Sequence, residues 1–129
     1  MFEILVIDDN PSICEILQEA LTDKGYKLDT AINALAGIDF LKKKEYHIVI
    51  TDLKMEGASG IDILKLAKQI NSEIEVIIIT AYGTIDSAIE AMRCGAVDFI
   101  LKPFQIEEME NKIENIVSRL KLKLNNTYL

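Results

Sequence analysis

The strongest constraint on the fold is an alternation, repeated five times, between short runs of aliphatic residues and longer amphipathic segments. The run 3–7 is almost wholly apolar and the run 75–79 is the richest in β-branched residues, which is typical of parallel strands buried on both faces. Apolar residues at helical spacing follow each run. We therefore predict an α/β domain, a five-stranded parallel sheet with helices on both faces and right-handed crossovers. The predicted strands are 3–7, 26–31, 47–51, 75–79 and 97–101.

Capping residues indicate where the predicted helices begin and end. Asn10 can cap the first helix, because Pro11 fits the first helical position. Gly25 is a plausible stop for that helix. Asn33 and Thr84 stand in the capping position of the second and fourth helices.

The length of the chain limits the number of domains, and its net charge limits the kinds of partner. The 129 residues suit one domain, which we place at 1–122, followed by a tail or the start of a linker at 123–129. The last helix is predicted from about 105 to 120 or beyond. The net charge of −7 argues against a nucleic-acid-binding module, which needs a basic face.

No feature of the sequence predicts a membrane protein or a secreted one. The longest stretch without Asp, Glu, Lys or Arg is 76–85. Its ten residues fall short of the roughly 20 that a membrane span needs. The N-terminus has no basic region before an apolar one, so no secretion signal is predicted. We expect a cytoplasmic protein.

The cysteines and the histidine do not indicate a site of their own. Cys14 and Cys94 lie far apart, form no CxxC motif and have no nearby histidine, which argues against zinc. They are interpreted as small buried side chains in a reducing compartment. His47 is the single histidine and begins an apolar run, so a Ser-His or Cys-His catalytic site is not favoured.

Polar side chains follow four of the five predicted strands. Asp8 and Asp9 follow the first strand, Asp52 the third, Thr80 the fourth and Lys102 the fifth. Each one alone is typical of a turn, a helix cap or a solvated surface. Because ligands bind beyond the carboxyl ends of the strands in open α/β sheets, the set predicts a site with three carboxylates, a hydroxyl and an ammonium.

This set of groups suits phosphoryl transfer. Clustered carboxylates repel one another unless a cation or shifted pKa values relieve them, and Mg²⁺ prefers a few carboxylates together with phosphate oxygens. Lys102 and Thr80 can contact phosphoryl oxygens by ion pairing and hydrogen bonding. A carboxylate can itself act as the nucleophile and form an acyl phosphate.

The motifs around these residues resemble the receiver domains of two-component response regulators, the family of the chemotaxis regulator CheY. The resemblance covers residues 2–120, and the segment 80–104 is most similar to receivers of NtrC-type transcription activators. It implies a (βα)5, flavodoxin-like fold and a phosphorylation-dependent signalling switch. The segments that carry it are 4–9, 49–55, 79–83 and 98–104.

The resemblance implies an acceptor and a metal site. Asp52 matches the phosphoacceptor. Asp9 matches the direct Mg²⁺ ligand, and Asp8 the ligand that acts largely through water. The backbone carbonyl of Lys54 matches a further metal ligand, so Mg²⁺ is the expected cofactor.

The resemblance also implies a switch. Thr80 and Lys102 match the hydroxyl and the lysine that contact the phosphoryl group. Phe99 matches the switch aromatic, which turns inward when Thr80 moves toward the phosphate, and without the resemblance it would be a core aromatic. The Lys102–Pro103 peptide is expected to be cis.

Four positions depart from the commonest pattern of the family or leave a property of this chain open. Glu56 stands where many receivers have proline, which we expect to change the rigidity or charge of the loop and not the chemistry. Phe99 lacks the hydroxyl of a switch tyrosine. Lys54 and Tyr82 occupy positions that tune the lifetime of the acyl phosphate in this family.

The resemblance further implies the partners. The donor would be a sensor histidine kinase or a phosphotransfer protein. A homodimer through the fourth helix, fifth strand and fifth helix is a hypothesis, and no direct contact with nucleic acid or membrane is expected. The chain would be a regulatory phosphoacceptor and not an enzyme, with self-catalysed phosphotransfer and autodephosphorylation. Its output would lie on another molecule or past Leu129.

Two other classes of function compete with the receiver. An aspartyl-phosphate hydrolase of the haloacid dehalogenase type carries an acid two residues after its nucleophile, where this chain has Lys54, and a cap domain that these 129 residues lack. A degenerate receiver would act only as an interaction module, and the full set of Asp8, Asp9, Asp52, Thr80 and Lys102 argues against it.

Overall fold

Five strands and five helices alternate along the chain. The computed structural model describes the backbone of residues 1–127 and the side chains of residues 1–124. The strands are β1 (Glu3–Ile7), β2 (Lys27–Ala31), β3 (Ile48–Asp52), β4 (Glu75–Thr80) and β5 (Asp98–Leu101). The helices are α1 (Pro11–Asp23), α2 (Ala34–Lys43), α3 (Gly60–Ile70), α4 (Ile85–Arg93) and α5 (Ile106–Thr127).

The strands form one parallel sheet in the order β2-β1-β3-β4-β5. This arrangement confirms the predicted fold. The β-branched strand β4 lies in the interior of the sheet, between β3 and β5. The ladder pairs Ile7 with Thr51, Asp52 with Ile79 and Thr80 with Leu101, so the carboxyl ends of β1, β3, β4 and β5 meet at one edge.

Alternate side chains of the strands build two cores, one on each face of the sheet. Leu5 and Val49 belong to the core covered by α2, α3 and α4, whereas Ile4, Ile48 and Ile77 belong to the core covered by α1 and α5. Because β1, β3 and β4 are covered on both faces, Ile, Leu and Val can make up most of their residues.

The helix caps form as predicted. The side-chain oxygen of Asn10 accepts a hydrogen bond from the Ser12 amide, and Pro11 stands at the start of α1. Asn33 and Thr84 cap α2 and α4 through their side chains. These bonds satisfy amide groups that the first turn of a helix otherwise leaves without a partner.

Two strands extend one residue further than predicted at their carboxyl ends. Asp52 and Thr80 are the last residues of β3 and β4 and not the first residues of the loops. The ladder continues past them, because the Leu53 amide donates to the Ile79 carbonyl at 2.9 Å and the Lys102 amide to the Thr80 carbonyl at 2.9 Å. The backbone at these two positions is therefore held by the sheet.

Helix α5 continues without interruption through the predicted boundary at residue 122. Arg119 contacts Glu75 at 3.4 Å and Lys123 contacts Glu73 at 2.9 Å, which holds the later turns of α5 against the start of β4. Residues 128 and 129 of the predicted tail lie outside the described residues. Within residues 1–127, no helix combines the length and the apolar character that crossing a membrane requires.

Helix α4 is held more loosely than the other helices of its face. Among its nine residues, all of them described, Ala91 alone is buried. Ile85, Ile89 and Met92 are 80%, 44% and 50% exposed. Leu101 of the neighbouring β5 is also exposed, so α4 and β5 share an apolar surface.

Candidate functional site

The structure brings the predicted acidic residues together. Carboxylate oxygens of Asp8, Asp9 and Asp52 lie within 4.8 Å of one another at the carboxyl edge of the sheet. Asp8 and Asp52 are buried because they end or follow strands covered on both faces, whereas Asp9 is exposed at the turn into α1.

Lys102 reaches this cluster from the end of β5. Its Nζ lies 2.8 Å from Oδ2 of Asp8 and 3.3 Å from Oδ2 of Asp52. The Lys102–Pro103 peptide that follows is cis. The closer contact with Asp8 had no signal in the sequence, because it depends on how β1, β3 and β5 are arranged across the sheet.

One ammonium does not balance the three carboxylates. Burial raises the pKa of the Asp52 carboxyl above its ordinary value of 3.8, the charge of Asp8 raises it further, and Lys102 offsets only part of both effects. Burial alone would lower the pKa of Lys102, but the close contact and charge of Asp8 and the charge of Asp52 outweigh it and raise that pKa. The site therefore favours the arrival of further positive charge.

The donor set fits a hard divalent cation. Asp8 Oδ1 accepts a hydrogen bond from the Asn10 amide at 2.9 Å, which fixes the carboxylate. Its Oδ2 is buried, and the short contact with Lys102 lacks hydrogen-bond geometry, so this oxygen keeps the capacity to bind a cation. Carboxylate oxygens at this spacing suit Mg²⁺, which binds through one or two carboxylates and retains water.

Thr80 is fully buried at the end of β4. Its Oγ1 accepts a hydrogen bond from the Tyr82 amide at 3.0 Å, which ties the hydroxyl to the β4–α4 loop. Any movement of this hydroxyl therefore acts on that loop directly.

Phe99 is half-buried and packs against the core on the α4 face. The β4–α4 loop approaches it closely: a Cβ on Gly83 would overlap Leu101 and lie 3.2 Å from Cε1 of Phe99. The loop after Thr80 therefore lies close to the Phe99 ring and the Leu101 side chain of β5.

Lys54 and Tyr82 make a contact that sequence reasoning missed. The Nζ of Lys54 lies 4.9 Å from the centre of the Tyr82 ring, a cation–π geometry. Tyr82 is 65% exposed, so the pair lies at the solvent side of the loops that follow β3 and β4. The two residues are far apart in sequence, and only the alignment of β3 and β4 brings them together.

The remaining reactive groups lie outside this set. Cys14 is a free, buried cysteine whose thiol contacts the Asp8 carbonyl oxygen at 3.4 Å, and burial raises the pKa of the thiol. Cys94 is also free. His47 precedes β3 at the opposite edge of the sheet, where its Nδ1 accepts a hydrogen bond from the Glu3 amide.

Comparison with known proteins assigns the family. Residues 4–114 match the family of the response regulator receiver domain. The chain therefore belongs to the receiver domains of two-component response regulators, and the fold and family predicted from the sequence are both confirmed.

Particular relatives differ in how much of their length the chain spans. It is 38% identical over 112 residues to the sporulation initiation phosphotransferase F of Bacillus subtilis and covers 90% of its length. It is 35% identical over 120 residues to the transcriptional regulatory protein ZraR of Klebsiella oxytoca but covers 27% of that protein. A receiver domain protein from Clostridium thermocellum shares 36% identity with a TM-score of 0.86, over 95% of this chain and 98% of that one.

Proposed function

We propose that this receiver accepts a phosphoryl group on Asp52 from a phosphohistidine donor in a Mg²⁺-dependent reaction and changes its interaction surface in response. The observation that supports this most directly is the position of Asp52. Its carboxylate lies within 4.8 Å of those of Asp8 and Asp9 and 3.3 Å from the Lys102 ammonium, in a buried setting at the end of a central strand.

The transfer forms one bond and breaks one. A carboxylate oxygen of Asp52 attacks phosphorus, the P–N bond to the donor imidazole breaks, and its electron pair stays on the imidazole. Lys102, which already contacts Asp52, pairs with a phosphoryl oxygen and stabilises the charge that remains there. Self-catalysed hydrolysis of the acyl phosphate returns the carboxylate.

Asp8, Asp9, Asp52 and the backbone carbonyl of Lys54 would hold the Mg²⁺. When bound, the cation neutralises charge on both the acceptor carboxylate and the phosphoryl group. Asp8 contributes to the same site by orienting Lys102, which it contacts at 2.8 Å.

The response begins at Thr80. If the Thr80 side chain moves toward a phosphoryl oxygen and donates to it, the Tyr82 amide must follow its acceptor or lose this hydrogen bond, and the β4–α4 loop moves. Gly83 of that loop lies close to Phe99 and Leu101, so the movement reaches the aromatic ring and the exposed apolar side chains of α4. The result is a shift in population between two arrangements of this face.

The apolar surface of α4, β5 and α5 is the proposed docking face for the output. A homodimer is one use of it, because Ile85, Met92 and Leu101 are each at least half exposed. We expect sedimentation to detect a larger species after phosphorylation, and a protein that stays monomeric at high concentration would contradict the dimer. The donor is a histidine kinase or phosphotransfer protein, and the setting is the cytoplasm.

The function is tested by incubation with Mg²⁺ and acetyl phosphate, followed by intact mass measurement. We expect one added phosphoryl group in the natural chain and in Asp39→Asn, a matched change at an exposed carboxylate of α2. Asp52→Asn should gain none, and omission of Mg²⁺ should prevent uptake. A chain that gains no phosphoryl group at any Mg²⁺ concentration, or that gains it equally in Asp52→Asn, contradicts the proposal.

A further inference from the structure

Two glycines of the loop between β3 and α3 are required for different physical reasons. Gly57 has a φ of +92°, a conformation that side chains disfavour, but a Cβ there would meet nothing within 4 Å. Gly60 has no positive φ. A Cβ on Gly60 would instead overlap the carbonyl oxygen of Asp52 and lie only 2.9 Å from Cα of Leu53.

The atoms that crowd Gly60 cannot move aside unless the main chain moves with them. They belong to the backbone that follows the acceptor, not to the far end of a flexible side chain. The Leu53 amide is bound to the Ile79 carbonyl of the neighbouring strand, so the sheet holds this backbone from one side. A methyl group at position 60 would have to push either the end of β3 or the start of α3 out of place.

The first turn of α3 holds the same backbone from the other side. The Gly60 amide donates to the Leu53 carbonyl at 2.7 Å. Ser59 and Asp62 form a reciprocal capping box, which fixes where the helix begins. The Thr51 hydroxyl donates to the Asp52 carbonyl at 3.1 Å, the same oxygen that approaches Gly60.

We propose that Gly60 is a positioning residue for phosphoryl transfer to Asp52. Its missing side chain lets the first turn of α3 rest directly on the Asp52–Leu53 backbone, and this contact sets the direction of the acceptor carboxylate relative to Asp8 and Lys102. The inference rests on the proposed function of Asp52. In addition, the first turn of α3 orients the Asp52 carboxylate without contacting any of the reacting atoms.

The test compares Gly60→Ala with Gly57→Ala, which makes the same change in the same loop but touches nothing. Both variants lose some stability, the first through crowding and the second through backbone strain. The rate of phosphorylation by acetyl phosphate is measured at saturating Mg²⁺ and donor, at a temperature where circular dichroism shows both variants folded. We expect Gly60→Ala to slow the rate by at least about tenfold, because small misplacements of a reacting group are costly. Gly57→Ala should stay near the natural rate.

The outcomes separate this inference from the proposed function. If the natural chain takes up no phosphoryl group, both fail. If it does, and the two variants react alike, then Gly60 has only a structural role and the inference is overturned while the function stands.

Hydrogen exchange of the natural chain keeps the inference testable should Gly60→Ala fail to fold. The proposal requires the Gly60 and Leu53 amides to exchange slowly and together, with the Gly57 amide much faster. A Gly60 amide that exchanges as fast as that of Gly57 would overturn it.

Discussion

Two clusters at opposite edges of the sheet each combine one lysine with buried or half-buried carboxylates, yet a carboxyl pKa is lowered in one and raised in the other. Near the amino-terminal edge, Nζ of Lys44 lies 2.9 Å from Asp29 Oδ2 and 3.1 Å from Glu3 Oε2. The Tyr46 hydroxyl donates to the same Asp29 oxygen at 2.6 Å. At the carboxyl edge, Lys102 contacts Asp8 and Asp52.

The direction in which the carboxyl pKa is shifted distinguishes the two clusters. Burial opposes the ionisation of Asp29, but the hydrogen bonds from Tyr46 and Lys44 outweigh it, and the pKa of Asp29 is lowered. Burial and the charge of Asp8 raise the pKa of Asp52 despite Lys102. The Asp29 carboxylate is satisfied by its hydrogen bonds from Lys44 and Tyr46 and supports the fold. The Asp52 carboxylate instead carries a charge that the fold alone leaves unbalanced, as expected of a functional site.

The largest expected effect comes from removing the lysine of each cluster. Lys102→Met should slow phosphorylation by acetyl phosphate by about a hundredfold, the usual scale for losing one group that stabilises developing charge. Lys44→Met should react at the natural rate, because it lies at the other edge of the sheet. Time-resolved intact mass measures the phosphorylation rate of both variants. Equal rates would contradict the proposed difference between the clusters.

Replacing one aspartate of each cluster with asparagine should change the free energy of unfolding in opposite directions. Asp52→Asn removes a charge that the folded state holds at a cost, so we expect a gain of about 1 kcal/mol in the free energy of unfolding. Asp29→Asn loses a charge-assisted bond with Lys44, and weakens that with Tyr46, at a cost of about 1 kcal/mol. Urea unfolding in Mg²⁺-free buffer measures both, and two changes of the same sign would contradict the comparison.

The changes in the free energy of unfolding caused by Asp52→Asn and Asp29→Asn should disappear over separate ranges of pH. Asp29 has a folded-state pKa below 3.8, so its stabilisation is complete above 3.8 and is lost only as the pH falls through that lowered value. Asp52 has a folded-state pKa above 3.8, so its destabilisation is complete above the raised value and fades as the pH falls toward 3.8. On acidification, the advantage of Asp52→Asn should therefore disappear before the disadvantage of Asp29→Asn. Unfolding series from neutral to acidic pH give this order, and the reverse order would refute it.

The smallest expected effect tests whether distance alone makes an ion pair strong. Lys43 contacts Asp39 at 2.9 Å, the same distance that separates Lys44 from Asp29, but both side chains of the first pair are more than 60% exposed. Lys43→Ala should lower the free energy of unfolding by no more than about 0.5 kcal/mol. Lys44→Ala should lower the free energy of unfolding by more than Lys43→Ala does, as measured by urea unfolding. A larger loss in Lys43→Ala would mean that burial does not set the strength of these pairs.

The convergence of the site was predictable because it follows from the topology of the strands. Asp8, Asp52, Thr80 and Lys102 each stand at the end of a strand, and parallel strands meet at one edge whatever their order. The helix starts were predictable for a similar reason, since Asn10 and its equivalents act within three residues of themselves.

Contacts that depend on distances across the sheet were not predictable. The preference of Lys102 for Asp8, the stacking of Lys54 on Tyr82 and the whole Glu3–Lys44–Asp29 cluster join residues from different strands and loops, so they require the strand order and register. The crowding at Gly60 is of the same kind, because nothing in the sequence distinguishes it from Gly57.

The loose attachment of α4 has a consequence for the timescales of motion within the domain. The residues of β1, β3 and β4 that carry or adjoin the acidic edge are sealed on both faces, so their arrangement persists for as long as the domain stays folded. A helix in which Ala91 is the one buried residue can open and close locally, in the range of microseconds to milliseconds. One small domain thus joins an edge that keeps its geometry for the lifetime of the folded state to a helix that re-equilibrates many times within that lifetime.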